Sequence, residues 1–174
     1  MNGPETDALL SAVDTVMNSN TLLVTGRADS PEAFVRDPAF PDRVRAADET
    51  RGWFNLQDEP ITVLPVPLTL TRLDRRGFRA RLLWMLCDSF SPYRKHLTPA
   101  EAEPIVDSFL SLLAGGGDWT YWDANPDFLP STGYYSHVDP PPGTTAYFDG
   151  GDSDTATFLC RGDEVILLLT NGSP

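Results

Sequence analysis

The sequence predicts an α+β fold, a single domain over residues 1–174 built as an antiparallel sheet with one or two helices packed on one face. Three observations carry that reading. Thr98-Pro99-Ala100-Glu101 combines a capping hydroxyl, a proline at the first helical position and a Glu three residues after the cap. Ile105, Val106, Phe109, Leu110 and Leu113 then give a buried face, and Gly115 to Gly117 supply the stop. Near the N-terminus, Ala8, Leu9, Ala12, Val13, Val16 and Met17 share one helical face. At the other end, short β-rich runs at 144–148, 155–160 and 164–170 are separated by Gly150-Gly151-Asp152 and Arg161-Gly162-Asp163, which are turn sequences.

The remaining elements follow in order. A helix over 4–18 is broken by Asn18-Ser19-Asn20, and 21–25 reads as a short strand. Ser30-Pro31 starts a short helix that Asp37-Pro38 stops, and a second runs from Pro41 to about Glu49. Arg51-Gly52 ends that segment, and Trp53-Phe54 reads as the opening of another strand. Residues 61–73 and 78–90 read as two strands of a hairpin joined by Asp74-Arg75-Arg76-Gly77. Leu64, Val66, Leu68 and Leu70 share one face of the first strand; Phe78, Ala80, Leu82, Trp84 and Leu86 share one face of the second. Pro65 and Pro67 place the first at an edge or a bulge. A long aromatic loop is expected over 118–142.

Charge narrows the function. The formal net charge is −12, and from Gly115 onward nine acids face one base, Arg161, so −8 of it lies in the last 60 residues. The same stretch holds nine of the eighteen aromatic residues. Carboxylates repel nucleic acid and anionic lipid, whereas Tyr and Trp are common anchors of protein interfaces. The expected partner is therefore a basic protein, not a nucleic acid or a membrane. The N-terminus lacks a positive and then apolar leader, and apolar runs stop at about six residues, against the roughly 20 that span a bilayer. A soluble cytoplasmic protein is expected. Twelve arginines against the single Lys95 fit a GC-rich bacterial coding bias.

The favoured contact residues are Asp118, Trp119, Tyr121, Trp122, Asp123, Tyr134 and Tyr135, where rings and carboxylates alternate in one long loop. Asp149, Asp152 and Asp154 surround two glycines and are compatible with a hard cation, but they match no EF-hand spacing and read more simply as a polar turn. His96 and His137 have no metal-ligand spacing with Cys87 and Cys160, which read as small buried hydrophobes. Tyr134 to Asp139 contains a hydroxyl, an imidazole and a carboxylate, but sequence neighbours rarely converge as a catalytic set. Arg72, Arg75, Arg76, Arg79 and Arg81 are expected to cover a sheet face and pair with acids. Arg161-Gly162-Asp163 is a turn. No nucleophile elbow, phosphate-binding loop or dinucleotide fingerprint is present, so neither catalysis nor a cofactor is expected.

The stretch running from Tyr147–Asp154 through Leu167–Pro174, in this acidic, aromatic-rich α+β setting, resembles the C-terminal end of actinobacterial immunity proteins of polymorphic toxin systems. The resemblance covers roughly the last 30 residues and implies an inhibitor that occludes the basic active-site cleft of a toxin, a nuclease or an NAD-consuming enzyme. Two other readings stand beside it: a small metal-dependent hydrolase using Asp149, Asp152 and Asp154, with His137 as an optional fourth residue, and a chaperone or assembly subunit.

Overall fold

A computed structural model describes residues 3–52, 61–129 and 154–172. The expected strand at 144–148, the possible strand at Trp53-Phe54 and most of the expected aromatic loop lie outside these residues. Helix α1 (Pro4–Met17) leads through Asn18, in the left-handed region at φ 51°, straight into strand β1 (Ser19–Arg27). Helix α2 (Pro31–Arg36) is capped by Ser30, whose hydroxyl accepts from the Ala33 N–H at 3.1 Å. Helix α3 (Phe40–Arg51) ends at Gly52, which supplies a φ of 73°. Strand β2 (Leu70–Leu73), helix α4 (Arg75–Cys87), helix α5 (Pro99–Ala114) and strands β3 (Thr120–Ala124), β4 (Thr155–Arg161) and β5 (Glu164–Gly172) complete the order.

The five strands form one sheet in the order β1-β5-β4-β3-β2, with every neighbouring pair antiparallel. The α+β class with an antiparallel sheet is therefore correct. The helices, however, lie on both faces. One core joins α1, α4 and α5 to the face carrying Tyr121, Leu159, Ile166 and Leu168. The other joins α2, α3 and residues near 61–70 and 128–129 to the face carrying Leu22, Phe158, Leu167 and Leu169. On that second face Phe34, Phe40, Phe128 and Phe158 meet edge-on or tilted, with centroids 5.5 to 6.5 Å apart, the arrangement that the ring quadrupoles favour. Double coverage explains why 165–170 is buried at every position. A strand with one wet face would alternate.

The central hairpin is a correction. Only Leu70–Leu73 is a strand, and Arg75–Cys87 is a helix. Asp74 acts as its cap, accepting the Gly77 N–H at 2.6 Å. Phe78, Leu82, Met85 and Leu86 are buried at i, i+4, i+7 and i+8, while Ala80 is exposed, so the operative period is 3.6 rather than 2. Residues 64–68, expected as part of an edge or bulged strand, instead stay out of the ladder, to which Pro65 and Pro67 cannot donate. Arg36 holds this segment by donating to the Leu64 and Val66 carbonyls, and Glu32 accepts the Leu68 N–H at 3.0 Å.

Asp14 ties the layers at the β1 edge. One carboxylate oxygen accepts the Thr21 N–H at 2.7 Å and the Ser19 hydroxyl at 3.3 Å; the other meets Arg51 of α3 at 2.6 Å. Both side chains are well covered, 11% exposed for Asp14 and 15% for Arg51.

Two stability measurements follow. Asp74→Ala should cost about 1 kcal/mol in urea unfolding, the usual value of a helix N-cap; no loss would mean that 75–87 does not fold as a capped helix. Arg51→Met leaves the covered Asp14 carboxylate without its cationic partner and should cost about 3 kcal/mol at neutral pH, as breaking a buried pair does. A loss below 1 kcal/mol would show that the tie is dispensable.

Candidate functional site

The residues expected to contact a partner are divided by the sheet. Tyr134 and Tyr135 lie outside the described residues. Residues 120–124 are strand rather than loop, and that sends neighbouring side chains to opposite faces. Tyr121 points into the first core, 6% exposed, with its ring stacked on Phe78 at 4.5 Å between centroids and 15° between planes. Burial raises its hydroxyl above the ordinary tyrosine pKa, with Arg75 acting weakly the other way. Trp122 is half-buried against the second core, with the Arg72 guanidinium 5.8 Å from its ring. Asp123 pairs with Arg81 of α4 at 2.8 Å. These three residues hold β3 in place, and Tyr121 cannot serve as a surface anchor.

Asp118 and Trp119 remain. They follow the α5 terminus in the short connection to β3, where Gly117 takes a φ of 107°. Asp118 is exposed and joins no ion pair among the described residues. Trp119 is half-buried: its indole N–H donates to the Leu113 carbonyl at 3.0 Å, and Arg161 lies over its ring at 4.5 Å. The same guanidinium meets Glu164 through one of its nitrogens at 2.5 Å. Gly116 makes room for this stack, since a Cβ there would fall 1.5 Å from an Arg161 guanidinium nitrogen.

Asp118 and Trp119 border a crevice of about 700 Å³ between the first turn of α4, the last turns of α5 and the β2–β3 ends. Leu73, Leu110, Trp119 and Tyr121 give it an apolar floor, and Arg72, Asp74, Arg75 and Asp118 stand at the rim. On the side where Asp118 neighbours the indole, a carboxylate beside a ring over an apolar floor can receive a cationic side chain with an aliphatic stem. The sequence reading missed this crevice because it read α4 as a strand. The available signal was Asp74 as a cap followed by a helical apolar stripe.

Other candidates fall elsewhere. Asp149, Asp152 and His137 are outside the described residues, and Asp154 immediately precedes β4. Among the described residues no three His, Cys, Asp or Glu side chains group as metal ligands. His96 ties its own loop, with Nε2 2.6 Å from the Ser89 carbonyl oxygen. Both thiols are free; burial raises Cys87 and pushes Cys160 up to about 11, so neither is an activated nucleophile. Arg79 forks onto Asp107 at 2.7 and 3.1 Å. The expected pairing with acids thus holds for Arg79 and Arg81, although from a helix. Arg161-Gly162-Asp163 turns the β4–β5 hairpin, with Gly162 at φ 58°. No helix of the described residues is long and apolar enough to cross a membrane.

No protein-family model, curated protein or solved structure matches this chain. Its site rests on its own geometry.

That geometry separates two substitutions. Tyr121→Ala should lower unfolding stability by about 3–5 kcal/mol, the cost of deleting a buried ring. Asp118→Lys should stay within about 0.5 kcal/mol, as exposed substitutions do. Comparable losses for the two, measured by denaturant unfolding, would contradict the placement of these residues.

Proposed function

We propose that this chain is a cytoplasmic binding protein of the immunity type, which inhibits a toxin enzyme by covering its basic active-site cleft. The observation that carries the reading is the crevice rim. Asp118 stands exposed, outside any ion pair among the described residues, beside the half-buried Trp119 and over an apolar floor. A basic side chain of the partner finds there both a carboxylate and an aromatic wall.

The rest of the surface supports it. Eight of the twelve arginines are committed to ion pairs within the fold. Exposed carboxylates such as Asp7, Asp29 and Asp118 are left outside those pairs. The uncompensated charge attracts a basic partner from a distance, and steering of this kind raises association rates by roughly 10-fold to 1,000-fold. Clefts that bind phosphate-bearing substrates are lined with Arg and Lys, so an acidic and aromatic inhibitor imitates what they hold. The cytoplasmic location and the absence of nucleic-acid and membrane partners belong to the same proposal.

The test first reads the gene immediately upstream and, where it encodes an enzyme domain, co-expresses that enzyme with this protein. Wild type should protect the cells and bind the purified enzyme with an association rate that falls as salt rises. Asp118→Lys should slow association by roughly tenfold without lowering thermal stability. Trp122 and Asp123 are poor probes because replacing them disturbs the sheet. Protection and association unchanged by Asp118→Lys would remove this crevice as the contact. Failure to bind the enzyme at all would remove the immunity reading.

A further inference from the structure

A second surface lies at the other end of the α4–α5 hairpin. The two helices run antiparallel, and the connection from Asp88 to Thr98 holds Phe90 and Tyr93, which are 51% and 63% exposed. Large rings so open to water are unusual in a loop that is also tightly held. The Ser89 N–H donates to the Trp84 carbonyl and its hydroxyl to the Met85 carbonyl, each at 2.8 Å. Ser91 is buried and accepts twice, from the Arg94 N–H at its carbonyl (3.1 Å) and from the Lys95 N–H at its hydroxyl (2.9 Å). Leu97 N–H closes the loop onto the Leu86 carbonyl at 2.9 Å. Arg94 sits at φ 52°, a left-handed conformation that is unfavourable for a non-glycine residue and persists where surrounding bonds impose it. The loop's polar atoms fix its shape, and its rings and cations face outward.

Those cations are Arg94 and Lys95, both exposed and in no ion pair among the described residues; the Lys95 ammonium lies 5.5 Å from the Tyr93 ring. We infer that this loop is a preformed docking site for a short acidic and apolar segment of a second protein. Two rings supply apolar contact without ordering cost, and two cations supply charge complementarity. A long polyanion fits less well. Asp88, Glu103 and Glu101 surround the base of the loop, near enough to raise the Cys87 thiol further after burial has done so. An extended phosphate backbone or an anionic bilayer would meet those carboxylates and the net charge of −12. A local segment reaches the tip alone. This surface is independent of the Asp118 crevice, which calls for the opposite charge.

The experiment is a nuclear magnetic resonance titration of the labelled full chain. Its probes are a short peptide alternating Glu with Leu and Phe, the same peptide with every Glu replaced by Gln, phosphatidylserine-containing vesicles, and a single-stranded oligonucleotide. The acidic peptide should shift the amides of residues 88–97 and weaken as salt rises, and the Gln peptide should bind roughly tenfold more weakly. Arg94→Gly combined with Lys95→Gln keeps the backbone conformation available and removes both charges; it should weaken the acidic peptide roughly tenfold with the spectrum otherwise folded. Asp118→Lys should leave this binding unchanged, which separates the result from the fate of the immunity reading. Acidic-peptide shifts that miss residues 88–97, or affinity untouched by the double substitution, would overturn the proposal. Stronger binding of vesicles or oligonucleotide at the same residues would overturn it in favour of a membrane or nucleic-acid surface.

Discussion

The fold depends on how one buried carboxylate is satisfied. Asp14 sits in the last turn of α1, and a single left-handed residue, Asn18, separates that helix from β1. The carboxylate receives the Thr21 N–H and the Ser19 hydroxyl from the strand and Arg51 from α3. It thereby joins a helix of one layer, the edge strand and a helix of the other layer. Burial opposes the ionised form strongly enough that Asp14 is raised above the ordinary carboxylate range, although Thr21 and Arg51 both act to lower it. Its partners offset a real desolvation cost, so losing either one leaves the other exposed to that cost. Exposed carboxylates behave oppositely. Asp107 is held low by Arg79 and Glu101 by the Thr98 N–H. Their contribution is present above the unfolded carboxylate value and fades as pH falls through the lowered one. Acid therefore loosens these surface ties, while protonation of Asp14 relieves a penalty rather than removing a gain.

Once both layers are fixed, the sheet itself is over-determined. The last strand lies inside it, between β1 and β4, and its six residues 165–170 are buried on alternating sides against different helices. Joining the first and last strands closes nearly the whole chain as a loop, an entropic cost that burial along nine paired positions offsets. It also explains why the candidate crevice lies far from β1. β2 is the other edge and only four residues long. The short edge, the first turn of α4 and the end of α5 cannot cover the space they enclose, and a crevice remains.

What could be read from the sequence was what local chemistry alone decides. The α5 capping box is present as written, with the Glu101 carboxylate accepting the Thr98 N–H at 2.8 Å. Ser30 caps α2, and the β4–β5 hairpin turns at Gly162. Two elements escaped because their signals were degenerate. Phe78, Leu82 and Leu86 satisfy an alternating pattern and a helical one equally, and Asp74 is both a good turn residue and a good cap. Only burial of Met85 and exposure of Ala80 separate the patterns, and burial belongs to the tertiary structure. β3 is five residues long, and its partners β2 and β4 give it its strand identity. The candidate site inherited that error. Trp119 to Asp123 resembles one aromatic, acidic surface when written as a line, and pairing in the sheet turns Tyr121 inward and commits Asp123 to Arg81.

The charge imbalance acquires a location once these residues are placed. Arginines that sequence counting sets against the acids are spent inside the fold: Arg79 on Asp107, Arg81 on Asp123, Arg161 on Glu164 and the Trp119 ring. Surface pairs of this kind add little stability each, but they decide which charges a partner meets. The α5 terminus presents Asp118 beside an indole. The far end of the same helical hairpin presents Arg94 and Lys95 beside two open rings. A 13-residue helix, α4, separates these surfaces, and at 1.5 Å per residue that is roughly 20 Å, beyond the screening length of physiological salt. Charges at one end therefore have little effect on binding at the other, and one acidic chain can present two recognition surfaces of opposite character.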